Sequence, residues 1–154
     1  MDKINLKLLR ALCENARISY ADLAKCVHLS APAVAERIRR MEEDGVITGY
    51  RPRINLEKLG LPITALIECE VHRGKERALK ALLLDFDEVM KIYNITGVTT
   101  FIVQVGVANM SALDDVIERM IDYCDTNTKL IMRLPVDDAL PRSIEKMLTL
   151  TLDE

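Results

Sequence analysis

Clustered cysteine, paired histidine and glycine-rich loops are what this chain lacks, and each absence removes a class of chemistry. The four cysteines (Cys13, Cys26, Cys69, Cys124) and two histidines (His28, His72) are far apart, and no Cys-x-x-Cys pair occurs. Metal sites draw thiolate and imidazole ligands from closely spaced pairs. No metal site is therefore expected, and the thiols read as reduced, buried and cytosolic. The six glycines are dispersed, which excludes loops that cradle phosphates through successive backbone N–H groups. Neither histidine stands with a serine or cysteine nucleophile at a suggestive spacing; His28 falls in a turn between helices and His72 after a strand. The acid pairs Asp87-Glu88 and Asp114-Asp115 read as solvated caps or turn residues. Enzyme activity, catalytic residues and a cofactor are not expected. No apolar run approaches the ~20 residues that span a bilayer. No cleavable leader precedes the first charged helix, so a cytoplasmic protein without membrane contact is expected.

A net positive charge is also missing, 21 Lys+Arg standing against 24 Asp+Glu for a formal net charge of -3. Its distribution is uneven, however. Residues 1–60 carry 11 Lys+Arg against 8 Asp+Glu, whereas residues 61–154 carry 10 against 16. Only the first half is suited to meet a polyanion.

What is present in that half is a pattern of three short helices. Ile4, Leu8 and Leu12, with Leu9 and Ala11, mark a first helix by their spacing. A second opens at Ser19, with Asp22 three residues on in a relative of the capping box, and stops near His28. The third opens at Ser30, whose hydroxyl suits an N-cap, with Pro32 in the first turn where a missing N–H does no harm. Val34, Ile38 and Met41 repeat at i, i+4, i+7 and face inward, and Gly45 ends the helix in a left-handed cap.

The opposite side of the third helix is read as carrying Ala33, Glu36, Arg37 and Arg40, with Arg39 further round. This is the layout of a helix-turn-helix, in which the outer helix lies in the major groove of DNA. Small Ala31 and Ala33 near Ser30 allow close approach to base edges, and the arginines suit phosphate or guanine. A plain solvated face is the alternative reading. Residues 47–50 and 53–56 read as a two-stranded element, with Arg51 and Arg53 near its bend as backbone contacts or as loop arginines in water. Leu59-Gly60-Leu61-Pro62 marks a hinge.

Beyond it the period changes to two. Ile63, Ala65, Ile67, Cys69 and Val71 alternate with polar or outward residues; a helix over 75–84 and a strand over 89–95 follow. Gly97 turns the chain into a strand over 100–107, Ser111 caps a helix whose inner face runs to Ile121 and Cys124, and residues 128–134 form a fourth strand. The order βαββαβ specifies an α+β, ferredoxin-like unit. Residues 141–152 read as either a helix or an extra strand.

These residues resemble the Lrp/AsnC family of transcription regulators of bacteria and archaea, over about residues 2 to 134. The resemblance is carried by Ala16-Arg17-Ile18-Ser19, Leu29-Ser30-x-x-x-Val34-x-x-Arg37-Ile38, Glu43-x-Gly45-Val46-Ile47-x-Gly49-Tyr50 and Leu59-Gly60-Leu61. It implies a winged helix-turn-helix over 1–50, a β element and hinge over 51–61, a ferredoxin-like RAM (small-molecule-binding and oligomerisation) domain over 62–136, and a tail over 137–154. It further implies a sequence-specific regulator, responsive to an amino acid or other small metabolite, that binds double-stranded DNA and pairs with itself, as a homodimer assembling to an octamer. The recognition helix becomes Ser30 to Met41, with Arg37 and Arg40 as DNA contacts. The effector turn becomes Thr96, Gly97, Val98, Thr99 and Thr100, with Thr126 and Thr128 nearby. Many relatives place an aspartate where this chain has Thr100, and a turn rich in threonine and glycine also suits a plain hairpin. An architectural protein that wraps or compacts DNA without an effector is the competing function.

Overall fold

The computed structural model describes residues 1–135, 140, 141, 143 and 144; Met1–Arg53, with the described tail residues, forms one compact unit and Ile54–Pro135 a second.

The first unit is three helices, α1 (Lys3–Glu14), α2 (Tyr20–Val27) and α3 (Ala31–Glu43). Each begins at a side-chain cap. Asp2 accepts from the Asn5 N–H at 2.7 Å, Ser19 from the Asp22 N–H at 3.1 Å, and Ser30 from the Ala33 N–H at 3.4 Å. The Ser19 hydroxyl also donates to the Asp22 carboxylate at 2.7 Å. The α2–α3 turn is made by His28 in the left-handed region at φ +56°, its N–H bonded to the Ala24 carbonyl. A non-glycine residue there carries a steric penalty. Leu8, Leu23, Ala24, Val27, Val34, Ile38 and Met41 close over one another as the core of this unit.

Gly45 sits at φ +70° just past α3, donating to the Glu42 carbonyl, while the Ile47 N–H reaches back to the Met41 carbonyl at 2.9 Å. A Cβ at that φ strains against the following carbonyl. Gly45→Ala is expected to destabilise the first unit by about 1 kcal/mol, read as a lower urea midpoint at unchanged slope.

The two-stranded element expected over 47–50 and 53–56 does not form among the described residues, which run as irregular, mostly exposed chain. Two short strands alone are marginal in water, and Pro52 between them withholds an N–H from any ladder. Instead the Tyr50 hydroxyl donates to Glu42 on α3 at 2.7 Å, pinning the segment to the helix. Burial, together with the bond to Glu42, pushes the Tyr50 hydroxyl up to about 12, so it remains a donor at neutral pH.

The second unit begins at a 3-10 turn (Glu57–Leu59) that ends in Gly60 at φ +85°. It runs β1 (Ile63–Val71), α4 (Glu76–Leu84), β2 (Val89–Asn94), β3 (Phe101–Val107), α5 (Met110–Glu118) and β4 (Cys124–Leu130). The sheet order is β2-β3-β1-β4, antiparallel throughout. This is the ferredoxin-like arrangement read from the sequence. Ala65, Ile67 and Cys69 of β1 and Phe101, Val103, Val105 and Val107 of β3 are buried against Leu79, Leu83, Leu113, Val116 and Met120. Glu68, on the other face of β1, accepts from Asn127 at 3.1 Å and pairs with Lys129.

Three expected boundaries move. Asn109, not Ser111, caps α5, accepting from the Ala112 N–H at 2.9 Å. The helix ends at Glu118, so Ile121 is 67% exposed rather than inward. The fourth strand starts at Cys124, whose partner is Val71, four residues before the expected start. Cys13 and Cys26 are exposed, against the expectation of burial, while Cys69 and Cys124 are buried. A hydrogen bond to Cys124 and burial together push the Cys69 thiol upward, which keeps it protonated. Of the tail, Ser143 and Ile144 are helical, with the Ile144 N–H donating to the Pro141 carbonyl at 3.1 Å. The rest of the expected tail element lies outside the described residues.

Candidate nucleic-acid interface

Helix α3 buries Val34, Ile38 and Met41, as expected from their spacing. Arg37 follows Val34 by three residues and precedes Met41 by four. It is therefore a surface neighbour of both core residues, not a residue opposite them. Its guanidinium Nη1 donates to Asp2 at 2.6 Å and to Asn5 at 2.8 Å, both on the opening turn of α1, and only 31% of the side chain is exposed. Ala33, Glu36, Arg37 and Arg40 line an open cleft of about 660 Å³ together with Met1, Asp2 and Asn5. Burial raises the Asp2 carboxyl, but the Asn5 backbone bond and the Arg37 guanidinium outweigh it, and the net shift is downward.

The side that points furthest from the core carries Pro32, Glu36, Arg39 and Glu43, spaced by four, three and four residues. Glu36 accepts from Arg40 Nε at 2.8 Å and from Arg39 Nη2 and Nε at 2.8 and 2.9 Å. Arg39 also pairs with Glu43. The hydrogen bonds from Arg39 and Arg40 hold the Glu36 carboxyl at about 2, so it is ionised at neutral pH. Arg40 extends beyond this cluster, 69% exposed.

The structure thus brings Ala33, Glu36, Arg37 and Arg40 onto one stripe. Ser30 is engaged in its cap before that stripe, and half-buried Ala31, expected on the outer face, packs instead against the core of the unit, on the side of Val34 and Ile38. Arg51 and Arg53 are exposed on the irregular segment that follows. Sequence reasoning passed over Arg39, although the Glu36-Arg39-Arg40-Glu43 spacing is the signal for helix ion pairs. It also passed over Asp2 and Asn5, which no local pattern connects to a helix thirty residues on.

In the second unit the turn between β2 and β3 is closed by the Ile95 N–H on the Thr100 carbonyl at 3.1 Å. The Thr100 N–H donates to the Cys69 carbonyl at 2.9 Å, Gly97 takes φ +113°, and Val98 is exposed. Cys69 is paired on one side with Phe101 and on the other with Thr126. At ~4.8 Å per strand spacing, the end of this turn and Thr126 stand roughly 10 Å apart at one end of the sheet. Thr128 lies two residues further in, opposite Ile67. Among the described residues no group of three or more His, Cys, Asp or Glu side chains is placed to hold a metal ion, and no helix is long and apolar enough to cross a membrane.

A capped three-helix unit presenting α3 beside a three-residue turn, followed by a ferredoxin-like unit with its own core, defines a DNA-binding transcription regulator rather than an enzyme. Residues 1–42 match the AsnC-type helix-turn-helix domain, and residues 64–141 match the Lrp/AsnC ligand binding domain. The chain belongs to the Lrp/AsnC family. It is 32% identical to the leucine-responsive regulatory protein of Haemophilus influenzae over 139 residues, covering 86% of this chain and 84% of that one. Its fold superposes on that of LrpC from Bacillus subtilis with a TM-score of 0.82 at 27% identity, covering 90% and 99% of the two chains. It superposes on a feast or famine regulatory protein from M. tuberculosis complexed with L-methionine with a TM-score of 0.81 at 29% identity, covering 91% and 97%.

Proposed function

We propose that this protein controls transcription in the cytoplasm as a homodimer that assembles further, to an octamer, and that a small amino acid tunes its hold on DNA. Each dimer offers two copies of α3 to half-sites about one helical turn, or a multiple of it, apart. Arg40 and Arg37 supply the contacts, with Ala33 leaving room for base edges. The stripe of Ala33, Glu36, Arg37 and Arg40 beside a short, fully capped turn is the observation that carries this reading.

The effector reading rests on a second feature. Residues 96–100 and Thr126 gather at one end of the sheet, and the M. tuberculosis relative is a methionine complex. Thr100 leaves this turn without a carboxylate, so the α-ammonium of an amino acid is met by threonine hydroxyls and carbonyl oxygens. A ligand shifts assembly only by its differential affinity for the two forms.

Binding to the DNA upstream of its own gene and to shuffled DNA, at fixed salt, tests both parts. Preference for the upstream DNA that changes severalfold with an amino-acid pool is the expected result. Preference without a response sinks the effector reading. Equal affinity for the two DNAs would replace regulation with compaction.

A further inference from the structure

We propose that Glu36 sets DNA selectivity by holding Arg39 and Arg40 back from random phosphates. Its two oxygens accept three guanidinium bonds, all between 2.8 and 2.9 Å, and Arg39 is held a second time by Glu43. The cluster of Glu36, Arg39, Arg40 and Glu43 therefore presents two arginines and two glutamates and no net charge. Random DNA binds through cations that neutralise phosphates and release counterions. An arginine already bonded to a carboxylate joins that process only by breaking its bonds or by carrying a negative charge toward the backbone. Either event weakens a complex in which phosphate contact is all there is.

At a cognate site the balance differs. Freed guanidinium groups pair with guanine, and the Glu36 carboxylate itself can accept from the N4 amine of cytosine in the major groove. The same residue thus penalises random DNA and is compensated at the right sequence. This inference rests on α3 being the DNA-facing helix, so the test separates the two ideas.

Full-length protein is titrated with a random-sequence 40-bp duplex and with the duplex that wild type selects from a random pool, across a salt series. Glu36→Gln is expected to bind the random duplex about 5- to 30-fold tighter at ~0.1 M salt, with a log–log salt slope steeper by about 1 to 2. The selected duplex gains less, and the selectivity ratio falls about tenfold. Asp44→Asn removes the same charge at the end of the helix, where none of the described arginines is bonded to it. It is expected to leave the slope unchanged; an equal gain from both variants reduces the effect to net charge and overturns the proposal. If Arg40→Ala weakens binding while Glu36→Gln leaves random-duplex affinity as in wild type, the proposal fails and the α3 reading stands. If neither variant changes binding, both fail.

Discussion

Arg37→Ala is expected to lower affinity for the selected DNA by about 30-fold or more, with little loss of stability. One arginine contact to a base contributes roughly 1–3 kcal/mol, and the proposed dimer would lose two of them. The folded protein loses far less. The Arg37–Asp2 pair is about a third exposed on one side and half exposed on the other. Pairs this open to solvent contribute roughly 0–1 kcal/mol. Binding should therefore fall steeply while the thermal midpoint moves by only a few degrees.

The geometry adds a second arm. Asp2 caps α1 with one oxygen and holds Arg37 with the other. Asp2→Asn keeps the arginine's charge but loosens its aim, so an intermediate loss of affinity is expected. Arg37→Lys retains the charge yet cannot span Asp2, Asn5 and a base with one ammonium, and it should behave more like alanine than like wild type. Anisotropy titrations on the selected duplex, beside circular dichroism melts, decide the matter. Arg37→Ala binding within twofold of wild type would show that the reading stripe lies elsewhere on α3.

Ile38→Ala is expected to abolish DNA binding by a different route. Ile38 is fully buried in the core of the first unit, between the helices whose angle defines the reading surface. Large-to-small replacement of a buried aliphatic costs about 2–5 kcal/mol, because the lost transfer energy is compounded by the cavity left behind. A unit of some fifty residues buries a smaller fraction of its surface than a larger domain does and has little stability in reserve. The first unit should then be largely unfolded at 37 °C. The second unit has a separate core around Ile67, Val103 and Leu79, and its ordered sheet should persist. Amide exchange would report the pattern: loss of protection over α1 to α3, retention over β1 and β3. Simultaneous loss across both units would contradict their independence.

These two residues, adjacent on the same helix, differ in how far the sequence reveals them. The burial of Ile38 follows from Val34, Ile38 and Met41 alone, since a period of 3.6 sets which side chains share a face. The same spacing, read with care, already puts Arg37 beside that face. Its anchoring to Asp2 and Asn5 is not legible, because the partners lie 35 and 32 residues away. The ends of β4 show a similar limit. Cys124 fits a helix four residues after Met120 and also fits an alternating strand with Thr126 and Thr128. Only its register opposite Val71 decides for the strand. The two-stranded element after Gly45 met the opposite fate: alternating residues were present, but no ladder formed among them.

The sequence by itself determined the elements whose causes are local. Ser19 and Ser30 as caps, the inward stripe of α3, the left-handed stop at Gly45 and the order βαββαβ all follow from residues within one or two turns of each other. The tertiary structure decided what anchors Arg37, where β4 begins, and which threonines come to the same end of the sheet as the turn between β2 and β3. Those outcomes depend on contacts between residues far apart in the chain. A local pattern limits such contacts but does not select among them, because their energies exist only once the intervening segments have packed.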